Sequence, residues 1–251
     1  MKWLAYLVLA ALLAPLGLSV LVSFTPSPYL ELPRGEWTLG WYRQFFAGPG
    51  WLEALRNSIL IAGLSATVAV ATALATAMAL VKGRFRWRGT WEIALLLPMV
   101  LPGVALAVGM LGLVRLTPLW GSHASLALAH SVLSIPVCYL VLRASLRQVD
   151  PNLEAAARGL GAGAWQVFRY VTLPLILPAV LAAVLFAVVI SLNEVTLTLF
   201  LATRDTETLP RVIWPNLRFS LTPLVAAASV VLLTLSLPAL AAAAWWLGPR
   251  R

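Results

Sequence analysis

The chain has 251 residues, of which 61% are hydrophobic and 11% charged, and it carries a formal net charge of +9. So little polar surface cannot enclose a soluble core, so the composition indicates an integral membrane protein and excludes an ordinary soluble enzyme. The single Cys138 excludes an intramolecular disulfide, His123 and His130 lack metal-ligand spacing, and neither Lys2 nor Lys82 stands in a phosphate loop, so this chain has no means of hydrolysing ATP.

In chain order, residues 3–24 form an apolar segment after Lys2. A basic start and a small-residue core also suit a signal peptide, but the length suits a retained span. Residues 25–51 hold four prolines and a dense set of aromatics, Trp37, Trp41, Tyr42, Phe45, Phe46 and Trp51 among them, as expected of a short helix at headgroup level. The second span, about 53–80, opens on Asn57 and Ser58, which suit interhelical hydrogen bonds. It carries Ser65, Ala69, Ala73 and Ala77 every fourth residue, a stripe that lets another helix approach closely. The stretch 82–89 interleaves Lys82, Arg84, Arg86 and Arg88 with Phe85 and Trp87. It is too short for a nucleic-acid groove and fits a hairpin anchored at anionic headgroups.

The third span, about 92–114, contains Pro98 and Pro102, which kink a membrane helix where protein or a watery cavity satisfies the freed carbonyls. The fourth, about 124–143, contains His130, read as a hydrogen-bonded packing residue because no acid is close in sequence. The fifth, about 177–201, carries the only carboxylate deep in an apolar run, Glu194, with Asn193 before it. Helical spacing puts Ser191, Glu194 and Thr198 on one face, the expected lining of a translocation pathway; the alternative is a protonated or paired structural acid. A polar loop, 202–222, precedes a sixth span, about 223–247.

Between the fourth and fifth spans lies the most polar long interruption, residues 146–174. Asp150 caps a helix with Pro151 at its first position and Glu154 near its positive end. Gly159, Gly161 and Gly163 break that helix, and a second short pattern carries Trp165 and Phe168 up to Pro174. Two short helices about a glycine elbow thus show Leu153, Leu160, Trp165 and Phe168 where a loop should be polar. Such a surface either docks a partner or lies on the bilayer.

Six spans place both termini on one side. The side bearing the 146–174 loop collects eleven of the eighteen basic residues, among them Lys82, Arg84, Arg88, Arg143, Arg158, Arg250 and Arg251. By the positive-inside rule that side is the cytoplasm.

The 146–174 loop resembles the signature loop of type I ABC-importer permeases: Glu-Ala-Ala, three residues, Gly, nine residues, Ile-x-Leu-Pro. Aligned on Gly161, the chain matches at Ala156, Ala157, Leu173 and Pro174, with Val171 in the isoleucine place. The motif's glutamate falls on Ala155, and Glu154 sits one residue early. From about residue 37 to 240 the chain is similar to these permeases, and within them it most resembles the second permease of spermidine/putrescine systems, through Asn57-Ser58, SLNE at 191–194 and TETLP at 206–210.

The resemblance implies one all-α transmembrane permease domain over 1–251, with six helices. It implies the translocation subunit of an ATP-driven, binding-protein-dependent importer in a bacterial or archaeal cytoplasmic membrane. Glu154, Ala156, Ala157, Leu160, Gly161, Trp165 and Phe168 would couple to two ATPase subunits, which bind the ATP and Mg; no cofactor belongs to this chain. A second permease, or a second copy, completes the pathway through Ser191, Asn193, Glu194 and Thr198. A soluble solute-binding protein docks outside near Asp205, Glu207 and Arg211, and lipid, not nucleic acid, surrounds the spans. Because one of the two polar pathway positions is an amide, polyamine, another organic cation, ferric iron and an aminophosphonate all stay open as substrates. A stand-alone secondary transporter or channel should show a relay of intramembrane ionisable groups or inverted repeats, and the sequence shows one deep acid and no repeat.

Overall fold

The computed structural model describes residues 2–83 and 86–247; Arg84, Arg250 and Arg251, used above to orient the chain, lie outside them. The described residues form helices only: α1 Lys2–Val22, α2 Gly40–Ala47, α3 Pro49–Lys82, α4 Arg88–Leu96, α5 Gly103–Arg115, α6 His123–Leu146, α7 Pro151–Gly159, α8 Ala164–Val167, α9 Leu173–Leu192, α10 Thr196–Leu201, α11 Leu209–Phe219 and α12 Pro223–Leu247. Among the described residues, three helical runs are long and apolar enough to cross a membrane: α3, α6 and the continuous Ala164–Leu192 run that joins α8 to α9. A fourth candidate is the pair Arg88–Met99 and Gly103–Arg115, bent by 102°. The apolar stretches Tyr6–Val22 and Pro223–Leu237 are shorter.

The chain divides into two compact units, with boundaries after Ser58 inside α3 and after Thr206. The first comprises residues 1–58 and 207–237. Its core joins Phe45 of α2, Ala54 and Leu55 of α3, Leu209 and Ile213 of α11, and Leu224, Val225 and Ala228 of α12. Asn57 and Ser58 are buried and hold the entry to α11: Asn57 Nδ2 donates to the Glu207 carbonyl at 3.0 Å, and Ser58 Oγ accepts from the Leu209 N–H at 2.8 Å. The aromatics of 25–51 do more than mark an interface. Trp41 Nε1 donates to the Thr25 carbonyl at 2.7 Å, the Tyr42 hydroxyl meets Ser23 Oγ at 2.7 Å, and the Phe45 ring is wholly buried.

The second unit comprises residues 59–206 and 238–251. Its larger core packs Ala69, Ala73 and Ala77 of the α3 stripe, with Ala66 beside them, against Tyr139, Leu142 and Leu146 of α6 and Ile176, Ala179, Ala183 and Ala187 of α9. The fourth stripe residue, Ser65, is buried as well. In lipid, helices gain little from apolar burial as such. Small side chains that let backbones approach closely supply the dispersion contacts instead, as the four-residue spacing anticipates. A second core gathers Ala107 and Val114 of α5, Leu126, Ala127 and Ala129 of α6, and Leu197 and Leu201 of α10.

Two expected spans are interrupted. The third, 92–114, ends as a 3-10 turn at Leu97–Met99 around Pro98 and restarts at Gly103 after Pro102, because neither proline donates to the helical ladder. The fifth, 177–201, stops at Leu192, and residues 193–195 separate α9 from α10. Pro174, expected to close the loop, instead lies inside the Ala164–Leu192 run. A π turn at Phe168–Thr172 absorbs it: the Leu173 N–H reaches back to the Phe168 carbonyl, ahead of the residue that has no N–H.

Candidate functional site

Two places in the second unit bring the candidate residues together. The first is the 146–174 loop. Asp150 accepts from the Asn152 N–H at 2.9 Å and Pro151 opens α7, as the sequence requires. At the other end, the Gly161 N–H reaches the Arg158 carbonyl at 2.9 Å and the Ala162 N–H reaches the Ala157 carbonyl at 3.0 Å, while Gly161 itself has φ +88°. These crossed bonds form a Schellman cap, whose left-handed residue glycine occupies without steric cost. The cap pushes Leu160 outward to 91% exposure. Gln166 Oε1 accepts from the Gly163 N–H at 2.7 Å and starts α8, where Trp165 is 70% exposed and stacks at 5.5 Å on Phe168. Between the two short helices lies an open cleft of about 310 Å³ lined by Ala157, Leu160, Gly161, Ala162, Gln166 and Tyr170. Ala156 is exposed on α7.

Glu154 faces the other way. It is buried, and Lys82 Nζ at the end of α3 pairs with its Oε1. The Thr172 hydroxyl donates to the same oxygen at 2.5 Å, and Lys82 Nζ donates to Thr172 Oγ1 at 3.2 Å. Arg158 approaches Oε2 at 3.9 Å. Burial pushes the Glu154 carboxyl up, but the hydrogen bonds from Lys82 and Thr172 and the charges of Lys82 and Arg158 outweigh it and hold the group below its ordinary value. Glu154 is therefore a strut between the loop, α3 and the π turn, not part of the outward apolar surface, and Lys82 is not a free headgroup anchor. Nothing local in the sequence links Lys82 to a carboxylate 72 residues away.

The second place is the break at 193–195. Asn193 is exposed, and its side chain donates to the Val189 carbonyl at 2.8 Å. Glu194 Oε1 accepts from the Leu197 N–H at 2.8 Å and so caps α10. Ser191 and Thr198 do not share a face with Glu194, because the helix that would align them is broken. Both are buried against His130, whose Nδ1 is 2.8 Å from Ser191 Oγ and Nε2 3.1 Å from Thr198 Oγ1. The two interruptions adjoin: a β-carbon on Gly103, the first residue of α5, would meet Thr196 Cγ2 at 3.6 Å.

A cluster that sequence pattern did not point to lies at Glu92 on α4. The Tyr139 hydroxyl donates to Glu92 Oε1 at 2.7 Å, Arg143 Nε lies at 3.2 Å and Arg88 Nε at 3.8 Å. It ties α4 to α6, and only the i,i+4 pair Arg88–Glu92 was visible as spacing. Of the remaining candidates, Asp205 lies in a 3-10 turn at Arg204–Thr206 in the second unit. Glu207 and Arg211, 3.7 Å apart, belong to the first.

The family described as binding-protein-dependent transport system inner membrane component matches residues 69–250. Among curated relatives, the spermidine/putrescine transport system permease protein PotC of Haemophilus influenzae is 31% identical over 92% of this chain and 90% of its own length. The putrescine transport system permease protein PotI of Escherichia coli K12 is 29% identical over 88% and 81%. Among solved structures, a bacterial ABC transporter that imports the acidic polysaccharide alginate superposes with a TM-score of 0.70 at 15% identity, covering 98% of this chain and 94% of that one. An amino acid ABC transporter gives 0.60 at 15% identity over 83% and 98%. These last two likenesses concern the fold.

Proposed function

The chain belongs to the binding-protein-dependent transport system inner membrane components, the permeases of ABC importers, and on that premise we propose that it forms half of a translocation pathway for a polyamine or a similar organic cation. It is a transport component and not an enzyme. ATP and Mg are bound by two separate ATPase subunits that grip the 146–174 loop on the cytoplasmic side. A second permease, or a second copy of this chain, completes the pathway, and a solute-binding protein delivers the substrate from outside, at the side carrying Asp205. In this reading α1 and α12 supply the outer two of six spans and both termini are cytoplasmic.

The observation that carries the proposal is the apolar elbow. Leu160 and Trp165 stand 91% and 70% exposed beside an open cleft, on a loop whose inner side is pinned by Lys82, Glu154 and Thr172. A rigidly held, unpartnered apolar knob is built to fit into another protein. The substrate class rests on Glu194 at the helix break, together with the polyamines named for the relatives. One carboxylate oxygen caps α10, and the carboxylate's charge remains available to an ammonium group.

The test is Leu160→Asp combined with Trp165→Ser. The variant inserts normally, because both side chains lie outside the cores, but it loses the co-purifying ATPase subunit and polyamine uptake together. Full retention of the ATPase subunit would remove the elbow from the coupling surface.

A further inference from the structure

His130, two turns into α6, is wholly buried, and both its ring nitrogens are used. Its partners straddle the break: Ser191 lies in the last turn of α9 and Thr198 in the first turn of α10. The Thr198 hydroxyl also reaches the Glu194 carbonyl at 3.1 Å, and the ring additionally meets the Ser191 backbone. A neutral imidazole has one donor and one acceptor nitrogen, so in either tautomer the ring gives one hydrogen bond and takes one. A chain of hydrogen bonds runs from Ser191 through the imidazole to Thr198 and the backbone of Glu194. The His130 carbonyl is itself held by the Ser134 hydroxyl at 3.1 Å, which fixes the ring's own turn of α6.

Without the ring, the bonds from the Leu197 N–H to the Glu194 carboxylate and from the Thr198 hydroxyl to the Glu194 carbonyl stay within 194–198. The break itself is tied to α9 by the Asn193 N–H and side chain to the Val189 carbonyl and by the Glu194 N–H to the Ser191 carbonyl at 3.3 Å. None of these bonds joins α10 itself, residues 196–201, to α9. We propose that His130 is the positioning residue of the translocation pathway, a clamp that fixes α10 against α9 so that Asn193 and Glu194 are presented to the substrate in one geometry. The inference rests on the pathway role proposed above for the 193–195 break. A histidine that only filled space could be replaced by an apolar side chain of similar size. A clamp requires one donor and one acceptor, which glutamine supplies and leucine does not.

The experiment uses membranes holding the complete transporter, with Cys138→Ala removing the native thiol and, for labelling, Asn193→Cys placing a thiol at the exposed position beside the break. The KM for uptake of radiolabelled spermidine is measured with His130, His130→Leu and His130→Gln in the transporter that keeps Asn193. The rate of labelling by a membrane-impermeant maleimide, with its effect on uptake, is measured in the same three on the Asn193→Cys background. His130→Leu should raise the KM for uptake by about tenfold, equivalent to about 1.4 kcal/mol of lost positioning, and change the labelling rate severalfold. His130→Gln should restore both. Equal labelling rates and equal KM in His130 and His130→Leu overturn the clamp. The same holds if His130→Leu and His130→Gln are equally impaired, since that marks a packing role. If labelling responds to His130 but does not block uptake, the clamp stands and the pathway assignment falls. If labelling blocks uptake but its rate ignores His130, the pathway stands and the clamp falls. Should His130→Leu fail to assemble, Thr198→Val cuts the same chain with the ring intact and must reproduce the KM and labelling shifts, or the clamp is rejected.

Discussion

Replacing Lys82 by methionine tests how the loop is held to the membrane helices. The substitution keeps an unbranched side chain, one atom shorter, and removes the charge that Glu154 and Thr172 share. Stripping one partner from a fully buried ion pair costs about 3–5 kcal/mol. Here the Lys82 side chain is 25% exposed and Glu154 11%, so water screens part of the interaction, and Arg158, though 63% exposed, stands 3.9 Å away as a substitute. A cost of about 1–2 kcal/mol to the docking of the loop follows, which raises its undocked fraction about tenfold. Hydrogen exchange over 151–172 in the assembled transporter reads that fraction directly. ATP hydrolysed per substrate transported reads its consequence, because a loosened strut lets the ATPase move the loop without moving α3 and α9. The reciprocal pair Lys82→Glu with Glu154→Lys should recover much of both.

The pH dependence has a definite sign. The Glu154 carboxyl is depressed below its ordinary value of 4.5, so its contribution is complete above that value and is lost as pH falls through the depressed one. In the wild type, protection over the loop, measured against the intrinsic exchange rate at each pH, stays level from neutral pH down to about 4.5 and falls below it, which is read as a rise in corrected exchange. In Lys82→Met the rise shrinks, because the hydrogen bond and charge of Lys82 that depress the carboxyl are gone and less of the depression is left to lose. Unchanged exchange and unchanged coupling in Lys82→Met would show that the ion pair does not hold the loop.

Two further outcomes are expected. A side chain added at Gly161 meets open space, so Gly161→Ala costs only the left-handed backbone, about 1–2 kcal/mol. It should loosen the elbow slightly, whereas Gly161→Trp adds bulk on the docking side and should abolish ATPase-subunit binding while insertion persists; normal transport by Gly161→Trp would refute the elbow's role. Glu194→Gln keeps a carbonyl oxygen for the Leu197 N–H but removes the charge, so spermidine uptake should fall at least tenfold with the ATPase subunit still bound, and wild-type uptake would dismiss the carboxylate as a cation ligand.

Much of the local structure could be read from the residues. Asp150-Pro151 opened a helix and Gly161 ended it, because caps and left-handed positions are satisfied by neighbours a few residues away. The four-residue stripe on α3 marked a packing face because only small side chains allow close approach in lipid. The apolar runs over α3, α6 and α9 marked helices long enough to cross a membrane, because a backbone in lipid must satisfy its own hydrogen bonds. What the residues could not decide was which way the polar groups inside those runs turn. In a uniformly apolar helix such as α9, lipid-facing and core-facing positions are chemically alike, so periodicity carries no facing information. Glu154 turned inward to Lys82, Ser191 and Thr198 turned to His130, and the fifth span broke beside Glu194, where the carboxylate caps the helix that follows. Apart from that local cap, these pairings join residues 61 to 72 positions apart. They exist only once α3, α6 and α9 have packed, because a buried polar group takes whichever partner the packing brings within reach.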